Sequence, residues 1–328
     1  AWPGCGEILR RKLPASIEKN LRLHPAREVG RLLASRAGLR FATKHEVGFF
    51  SVDAVYSAFD KCVSERIRKE NFSVVYCYED GALETFRMAK SKGLSCIYDL
   101  PIAHWALVRQ LMAEEADRLP DWACTMEGLG DSENKLRRKN EEVELADVVI
   151  CPSLFVRDSL PLDILQKKRF EVVPFGSPEV FAPARETPIA GPLKVLFAGS
   201  MTQRKGLADL FSAIKMLDPQ HFELHVLGTP IVDMSFYKNQ FPNFIHHPPR
   251  ANAEVLKLMR SCDVFVLPSI VEGRALVQQE AMSCGLPIIV TRNAGGEDLV
   301  EDGKAGYLIP IRDPQAIAEK LELLFNDR

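Results

Sequence analysis

The chain is short of the features that would place it in several large protein classes. Across 328 residues, 42 lysines and arginines stand against 44 acids, a balance of −2. No global field is left for nucleic acid, which is held by neutralising its phosphates. No run approaches the roughly 18 apolar residues that cross a bilayer, and the first residues carry no secretory pattern. The eight cysteines (Cys5, Cys62, Cys77, Cys96, Cys124, Cys151, Cys262, Cys284) include no Cys-x-x-Cys pair, so neither a zinc site nor a disulfide framework is expected. Several lie in apolar runs, as buried free thiols do, which fits a reducing, cytoplasmic setting. Gly-x-Gly-x-x-Gly and Gly-Lys-Ser/Thr are both absent, which removes the dinucleotide fingerprint and the P-loop.

What is present is ordinary for a soluble globular protein: 46% hydrophobic and 26% charged residues. The length favours about two domains. Residues 1–45 read as helical and basic, with ten lysines and arginines against three glutamates and an apolar stripe at Leu9, Leu13, Ile17 and Leu21. Such a stretch fits an anionic membrane surface, or a solvated face whose stripe packs on its own domain.

Strands and helices then alternate. Strands are expected over 72–76, 94–98, 148–151 and 170–174. Helices are expected over 81–92, 105–118, 131–146 and 155–160. Helices between apolar strands imply a parallel sheet covered on both faces. Pro174 to Pro192 is rich in proline and glycine without periodicity and reads as a linker. The alternation restarts with strands over 195–198, 222–227, 243–247, 264–267 and 287–290. Helices are expected over 206–217, 252–261, from about Arg274 to Gly285, and over 314–325. The expected organisation is a first α/β domain over 1–175, a linker over 176–192 and a second α/β domain over 193–328.

Two loops carry the chemistry. Gly199-Ser-Met-Thr-Gln-Arg-Lys-Gly206 joins a buried strand to a helix. Ligands bind at the carboxyl ends of strands in open α/β sheets, and Arg204, Lys205 and a helix N-terminus there suit a diphosphate. A solvated basic turn would look the same. The second loop follows the strand over 264–267 and holds Glu272, eight residues before Glu280 in the next helix. Carboxylates on either side of an anion site can accept hydrogen bonds from hydroxyls, and phosphate flanked by hydroxylated rings describes a sugar nucleotide.

The segment Glu272-Gly-Arg-Ala-Leu-Val-Gln-Gln-Glu280-Ala-Met-Ser-Cys-Gly-Leu-Pro-Ile-Ile resembles the Glu-x7-Glu motif of the family 4 (group 1) retaining glycosyltransferases. Phe197-Ala-Gly-Ser…Arg-Lys-Gly206, Ala146-Asp-Val-Val-Ile-Cys-Pro-Ser153 and Gly295-Gly-Glu-Asp-Leu-Val-Glu-Asp-Gly-Lys-Ala-Gly306 agree with it. The match is clear over about residues 140–328 and looser over 72–140. The resemblance implies the GT-B architecture, two Rossmann-like domains facing a cleft, with the nucleotide sugar held mainly by the second.

Residue by residue, the resemblance implies that Glu280 accepts from the ribose hydroxyls and that Glu272 lies by the transferred sugar. The backbone of Gly273, Arg274, Ala275 and Leu276 would hold sugar and phosphate. Lys205 would bind the diphosphate, with Gly199, Ser200 and Arg204 beside it. The chain departs from the family pattern at Ser200, where an arginine is usual, and at Gly273-Arg274-Ala275, where Gly-Phe-Gly is usual. Arg274 thus hints at an acidic donor sugar or an extra phosphate contact, or else points to solvent. The family's catalytic histidine comes from the first domain at a strand end; His104 is the candidate and Asp99 the alternative. Tyr78-Glu79-Asp80 is a candidate acceptor face.

The resemblance also implies a strand and Gly-rich loop before Ala1 and further helices after Arg328, so the chain is expected to be clipped at both ends. The expected activity is metal-independent, cofactor-free, retaining transfer of a hexose from a nucleoside-diphosphate sugar to a lipid-linked or polysaccharide acceptor, at a cytoplasmic site peripheral to the membrane. Another GT-B activity, such as sugar-nucleotide epimerisation or phosphorolysis, or nucleotide-sugar binding without catalysis, remains an alternative.

Overall fold

The computed structural model describes residues 16, 20–126, 130–177, 179, 191–301 and 303–327. They form two compact units whose sequence boundary falls between Asn71 and Phe72.

The first unit contains helices α1 (Ala26–Arg36), α2 (Arg40–Thr43) and α3 (Val52–Lys69). The sequence reading expects one helical stretch here. Instead residues 21–25 are irregular, and α1 stops where Gly38 takes φ of 69°, the left-handed conformation that closes helices. Leu9, Leu13 and Ile17 of the expected stripe lie outside the described residues. Residues 46–71, for which no element is expected from the sequence, hold α3, the longest helix of the described residues. Ser51 Oγ accepts from the Ala54 N–H at 3.1 Å, an N-cap that fixes where α3 begins. Asp53 in its first turn and Arg66, Arg68 and Lys69 in its last match the helix dipole.

The second unit holds two parallel sheets. The first runs through β1 (Val74–Tyr78), α4 (Leu83–Ser91), β2 (Ser95–Asp99), α5 (Trp105–Arg118), a 3-10 turn (Pro120–Thr125) and α6 (Glu133–Leu145). It ends with β3 (Val148–Cys151), α7 (Leu154–Asp158), α8 (Leu162–Lys167) and β4 (Arg169–Val172), in strand order β1-β2-β3-β4. Alternate residues are buried along β1 and β3, as a sheet with one well-packed face requires. Glu142 of α6 is fully buried and accepts from the backbone N–H groups of Asp80, Ala82 and Leu83 at 3.0 to 3.2 Å. Those donors open α4, so a carboxylate from one helix supplies the acceptor that Ala82 at the N-cap of the next lacks.

The second sheet runs through β5 (Leu193–Ala198), a 3-10 turn (Gln203–Lys205), α9 (Leu207–Lys215), β6 (Phe222–Leu227), α10 (Met234–Gln240), β7 (Phe244–His247) and α11 (Asn252–Arg260). It continues through β8 (Val264–Leu267), α12 (Leu276–Ser283), β9 (Ile288–Thr291), a 3-10 turn (Arg292–Ala294), β10 (Gly306–Ile309) and α13 (Pro314–Asn326). Strand order is β10-β9-β8-β5-β6-β7, all parallel. Counted from β5, this is the 3-2-1-4-5-6 order of the doubly wound fold. β8 and β9 are buried at every position, which is why they read as unbroken apolar runs and not as alternating strands. α8, α10 and β10, which are short and weakly patterned, are not expected from the sequence.

The sheets are joined through α5 and the turn after it. Trp122 is buried and packs edge-on against Phe211, Phe236 and Tyr237, so a residue reached from the first sheet completes the core of the second. Arg118 donates to both oxygens of Asp209 at 2.9 Å, and Gln203 donates to Glu115 at 2.8 Å. The seven described cysteines are all free, five of them buried. Among the described residues no helix is long and apolar enough to cross a membrane.

Candidate active site

The order of the second sheet reverses between β5 and β8. Loops leaving adjacent strands in opposite directions open a crevice at such a switch point. The loop after β5 supplies Gly199 to Lys205, and the loop after β8 supplies Ser269 to Ala275. Gly206 lets them approach: its φ is 75°, and a Cβ there would stand 2.0 Å from the Pro268 carbonyl oxygen.

Lys205 Nζ lies 2.5 Å from Glu272 Oε1, and Arg204 Nη1 lies 2.5 Å from the same oxygen. Burial pushes the Lys205 ammonium below its ordinary pKa, and Glu272 opposes that shift. Two cations around one carboxylate leave a net positive charge at the crevice. The first turn of α12 lies beside it, and Ala275 at its N-cap provides no side-chain acceptor, so the helix end remains a site for an anion.

A cavity of about 410 Å³ opens here, lined by Gly199, Ser200, Lys205, Ala275 and Leu276 from the expected site. Glu280 is half-buried, one helical turn beyond Leu276 on the same face, and accepts from Asn252 Nδ2 at 2.7 Å. Arg274 is turned inward, not to solvent: its buried guanidinium donates to Asp298 at 2.6 Å and to the Gly295 carbonyl at 3.3 Å. Gly273 sits against the first sheet's loops. Its carbonyl accepts from Ser153 Oγ at 2.8 Å, and a Cβ on it would fall 1.7 Å from the Pro101 carbonyl oxygen.

His104 is the N-cap of α5 and is buried. Its Nδ1 accepts from the Ala106 N–H at 3.4 Å, while Nε2 is buried without a hydrogen-bond partner. Burial pushes its pKa down to about 4, so the ring is neutral near pH 7 and carries one unused polar atom. Asp99 accepts from Tyr76 Oη at 2.5 Å. Tyr78 is exposed, whereas Glu79 is buried against Lys139 at 3.1 Å and burial raises its pKa.

Gly228, Thr229, Pro249 and Arg250, in the loops leaving β6 and β7, also line the cavity, and none of them is among the site residues expected from the sequence. The available signal was topological. β6 lies next to β5 and β7 next to β6, so the loops leaving their carboxyl ends come up on the same side as the Gly199 loop.

Residues 192–327 match the family described as Glycosyl transferases group 1. The D-inositol 3-phosphate glycosyltransferase of Arthrobacter sp. strain FB24 is 32% identical over 149 residues, 42% of this chain and 35% of that protein. The matched stretch thus spans about a third of that relative's length. Among solved structures, sucrose-phosphate synthase from Thermosynechococcus elongatus has a TM-score of 0.66 at 18% identity, covering 86% of this chain and 72% of that one. HepE of Anabaena in complex with UDP gives 0.61 at 18%, covering 82% and 72%. These likenesses carry the fold, the two-sheet GT-B architecture. Residues 192–327 hold the whole second sheet and every residue lining the cavity, so the part of the chain that matches the group 1 glycosyltransferases is the part that carries the candidate site.

Proposed function

We propose that the protein is a retaining glycosyltransferase that moves a hexose from a nucleoside-diphosphate sugar to a lipid-linked or polysaccharide acceptor. The observation that carries this reading is the cavity at the β5/β8 switch point, with Lys205, the Gly199–Ser200 backbone and the start of α12 on its walls. UDP bound in the structurally similar HepE makes UDP-sugars the first donors to try. In this reading Lys205 and Arg204 take the diphosphate, exchanging their hold on Glu272 for the phosphate oxygens. Lys205 also meets negative charge that grows as the sugar–phosphate bond breaks, so it raises rate as well as affinity.

His104, neutral and with Nε2 unpaired, is suited to a sugar hydroxyl and not to proton uptake from solvent. Glu280, one turn beyond the cavity-lining Leu276, would accept from the ribose, and Glu272 would lie by the transferred sugar. The reaction is read as metal-independent, so it should persist in a chelator. Residues 1–45 would contact an anionic membrane surface. In the described part, Arg36, Arg40 and Lys44 accompany the exposed Leu32, Leu33 and Phe41, a composition that suits acidic headgroups.

A thermal-shift screen with UDP-, GDP- and ADP-sugars, followed by assay of transfer to a lipid-linked glycan, tests the reading. A ligand at a hundred-fold excess over its dissociation constant stabilises by roughly 2.7 kcal/mol. No shift with any donor would reject it. Epimerisation or phosphorolysis without transfer would assign another activity to the same cavity, and binding without turnover a carrier role.

A further inference from the structure

The cavity wall formed by Arg250 is tied to a chain of hydrogen bonds that runs away from the cavity into β6. Arg250 Nη2 lies 3.4 Å from His247 Nδ1, His247 Nε2 lies 2.9 Å from His225 Nδ1, and His225 Nε2 lies 2.7 Å from Glu223 Oε1. The two rings are 10° from parallel with centroids 5.2 Å apart. His225 is buried, and His247 is partly so.

The ends of this chain fix every proton in it. A guanidinium only donates and a carboxylate only accepts. His247 must therefore offer a bare Nδ1 to Arg250 and carry its proton on Nε2. That proton is donated to a bare Nδ1 of His225, whose own Nε2–H is donated to Glu223. Both rings are neutral Nε2–H tautomers, assigned from their partners. The chain has no spare acceptor. A proton added to either ring creates a donor facing a donor, or deprives Arg250 of its acceptor and sets a cation beside it.

The other titratable groups facing the pair are few. Glu223 approaches from β6, and His246 and Arg250 approach from β7 and the turn after it. His246 Nε2 donates to the Gly228 carbonyl at 2.9 Å, so a second wall residue of the cavity is held by an adjacent imidazole. Burial, followed by the neighbouring His225 and Arg250, lowers the pKa of His247, which keeps the chain intact at neutral pH.

We propose that His247 and His225 are positioning residues that hold Arg250 at the wall of the donor cavity, and that protonation of His247 releases it, weakening nucleotide binding in acid. This rests on reading that cavity as the donor site. Arg250 offers a further cation on the side of the cavity formed by β6 and β7, away from the Lys205–Glu272 pair.

The test uses UDP, GDP and ADP as probes, with calorimetric affinities of the whole chain at several pH values between about 8 and 5.5. For whichever probe binds, loss of one charge-assisted contact should weaken binding about ten-fold at the acid end. His247→Asn keeps an acceptor near the Nδ1 position but cannot titrate. Its affinity should be about two- to three-fold weaker than wild type at pH 8 and should fall less in acid than wild type's, the remaining loss being that of the nucleotide's terminal phosphate, which takes up a proton near about pH 6. His247→Phe should be as weak as Arg250→Ala throughout. Nitrogen-detected NMR of the wild-type histidines supplies a readout independent of any variant's folding: His225 and His247 should both be neutral Nε2–H tautomers at pH 8.

A protonated Nδ1 on His247, a flat wild-type profile, or an unchanged acid limb in His247→Asn would each overturn the proposal while leaving the donor-site reading intact. Failure of all three nucleotides to bind at pH 8, with the tautomers as assigned, would refute the donor-site reading and the proposal with it.

Discussion

Glu272 Oε1 stands 2.5 Å from the Lys205 ammonium and at the same distance from Arg204 Nη1. One carboxylate thus holds both cations of the loop after β5. Lys205→Ala should lower turnover at least ten-fold, because a hydrogen bond to a charged group contributes on the order of 1.5–3 kcal/mol. Steady-state kinetics with the best donor measure this, and wild-type turnover would remove Lys205 from the reaction.

Glu272→Gln tests the same pair by its pH dependence. Burial lowers the Lys205 pKa and Glu272 raises it, so without the carboxylate the ammonium should lose its proton at lower pH. Nucleotide affinity in the variant should therefore begin to fall on the alkaline side at a lower pH than in wild type. Binding measured across the alkaline range would show this as a shifted limb, not as a uniform loss.

Gly273→Ala tests the approach of the second loop to the first sheet. The new methyl would stand 1.7 Å from the Pro101 carbonyl oxygen, a backbone atom that cannot move alone. The Ser153–Gly273 hydrogen bond should break and melting temperature should fall. Overpacking of this kind costs about 1–3 kcal/mol. An unchanged melting temperature would mean that the two loops separate freely.

Asp298→Asn should leave Arg274 buried without its countercharge. Breaking such a pair from one side costs about 3–5 kcal/mol when both partners are buried, and less here because Asp298 is 44% exposed. Stability should drop while nucleotide affinity changes little, since Arg274 does not line the cavity. A large loss of affinity with unchanged stability would instead return Arg274 to the donor.

His104 should give an acid-sensitive stability term. Its folded pKa of about 4 lies below the ordinary 6.5, so the unfolded chain binds more protons between those values. The contribution is fully present above about pH 6.5 and is lost as pH falls toward 4, on the order of 3 kcal/mol in total. Measured by urea unfolding, the stability of wild type relative to His104→Gln should fall by about that amount as pH drops through this range.

Much of this was legible along the chain. The Glu272–Glu280 spacing, the apolar strands before Gly199 and Ser269, and the helices expected over 105–118 and 131–146 follow from period and punctuation, which are local properties. Lys205 could be singled out because it ends a strand–loop–helix unit. Arg250 could not, because nothing in Pro248-Pro249-Arg250 distinguishes it from a solvated turn.

The sequence by itself determined most of the strands and helices, their alternation and the cationic loop after β5, because side-chain periodicity and turn residues act within a few positions. Only the tertiary structure decided which charges are free to meet a ligand. Arg274 is buried against Asp298, Glu272 is shared by Lys205 and Arg204, and Arg250, on the cavity wall, is hydrogen-bonded to His247, which in turn pairs with His225 on the neighbouring strand. Those partners lie 24, 67 or 68, and up to 25 residues away along the chain. A charge's role depends on burial and on its nearest opposite charge, and both are set by packing between elements that local sequence does not encode.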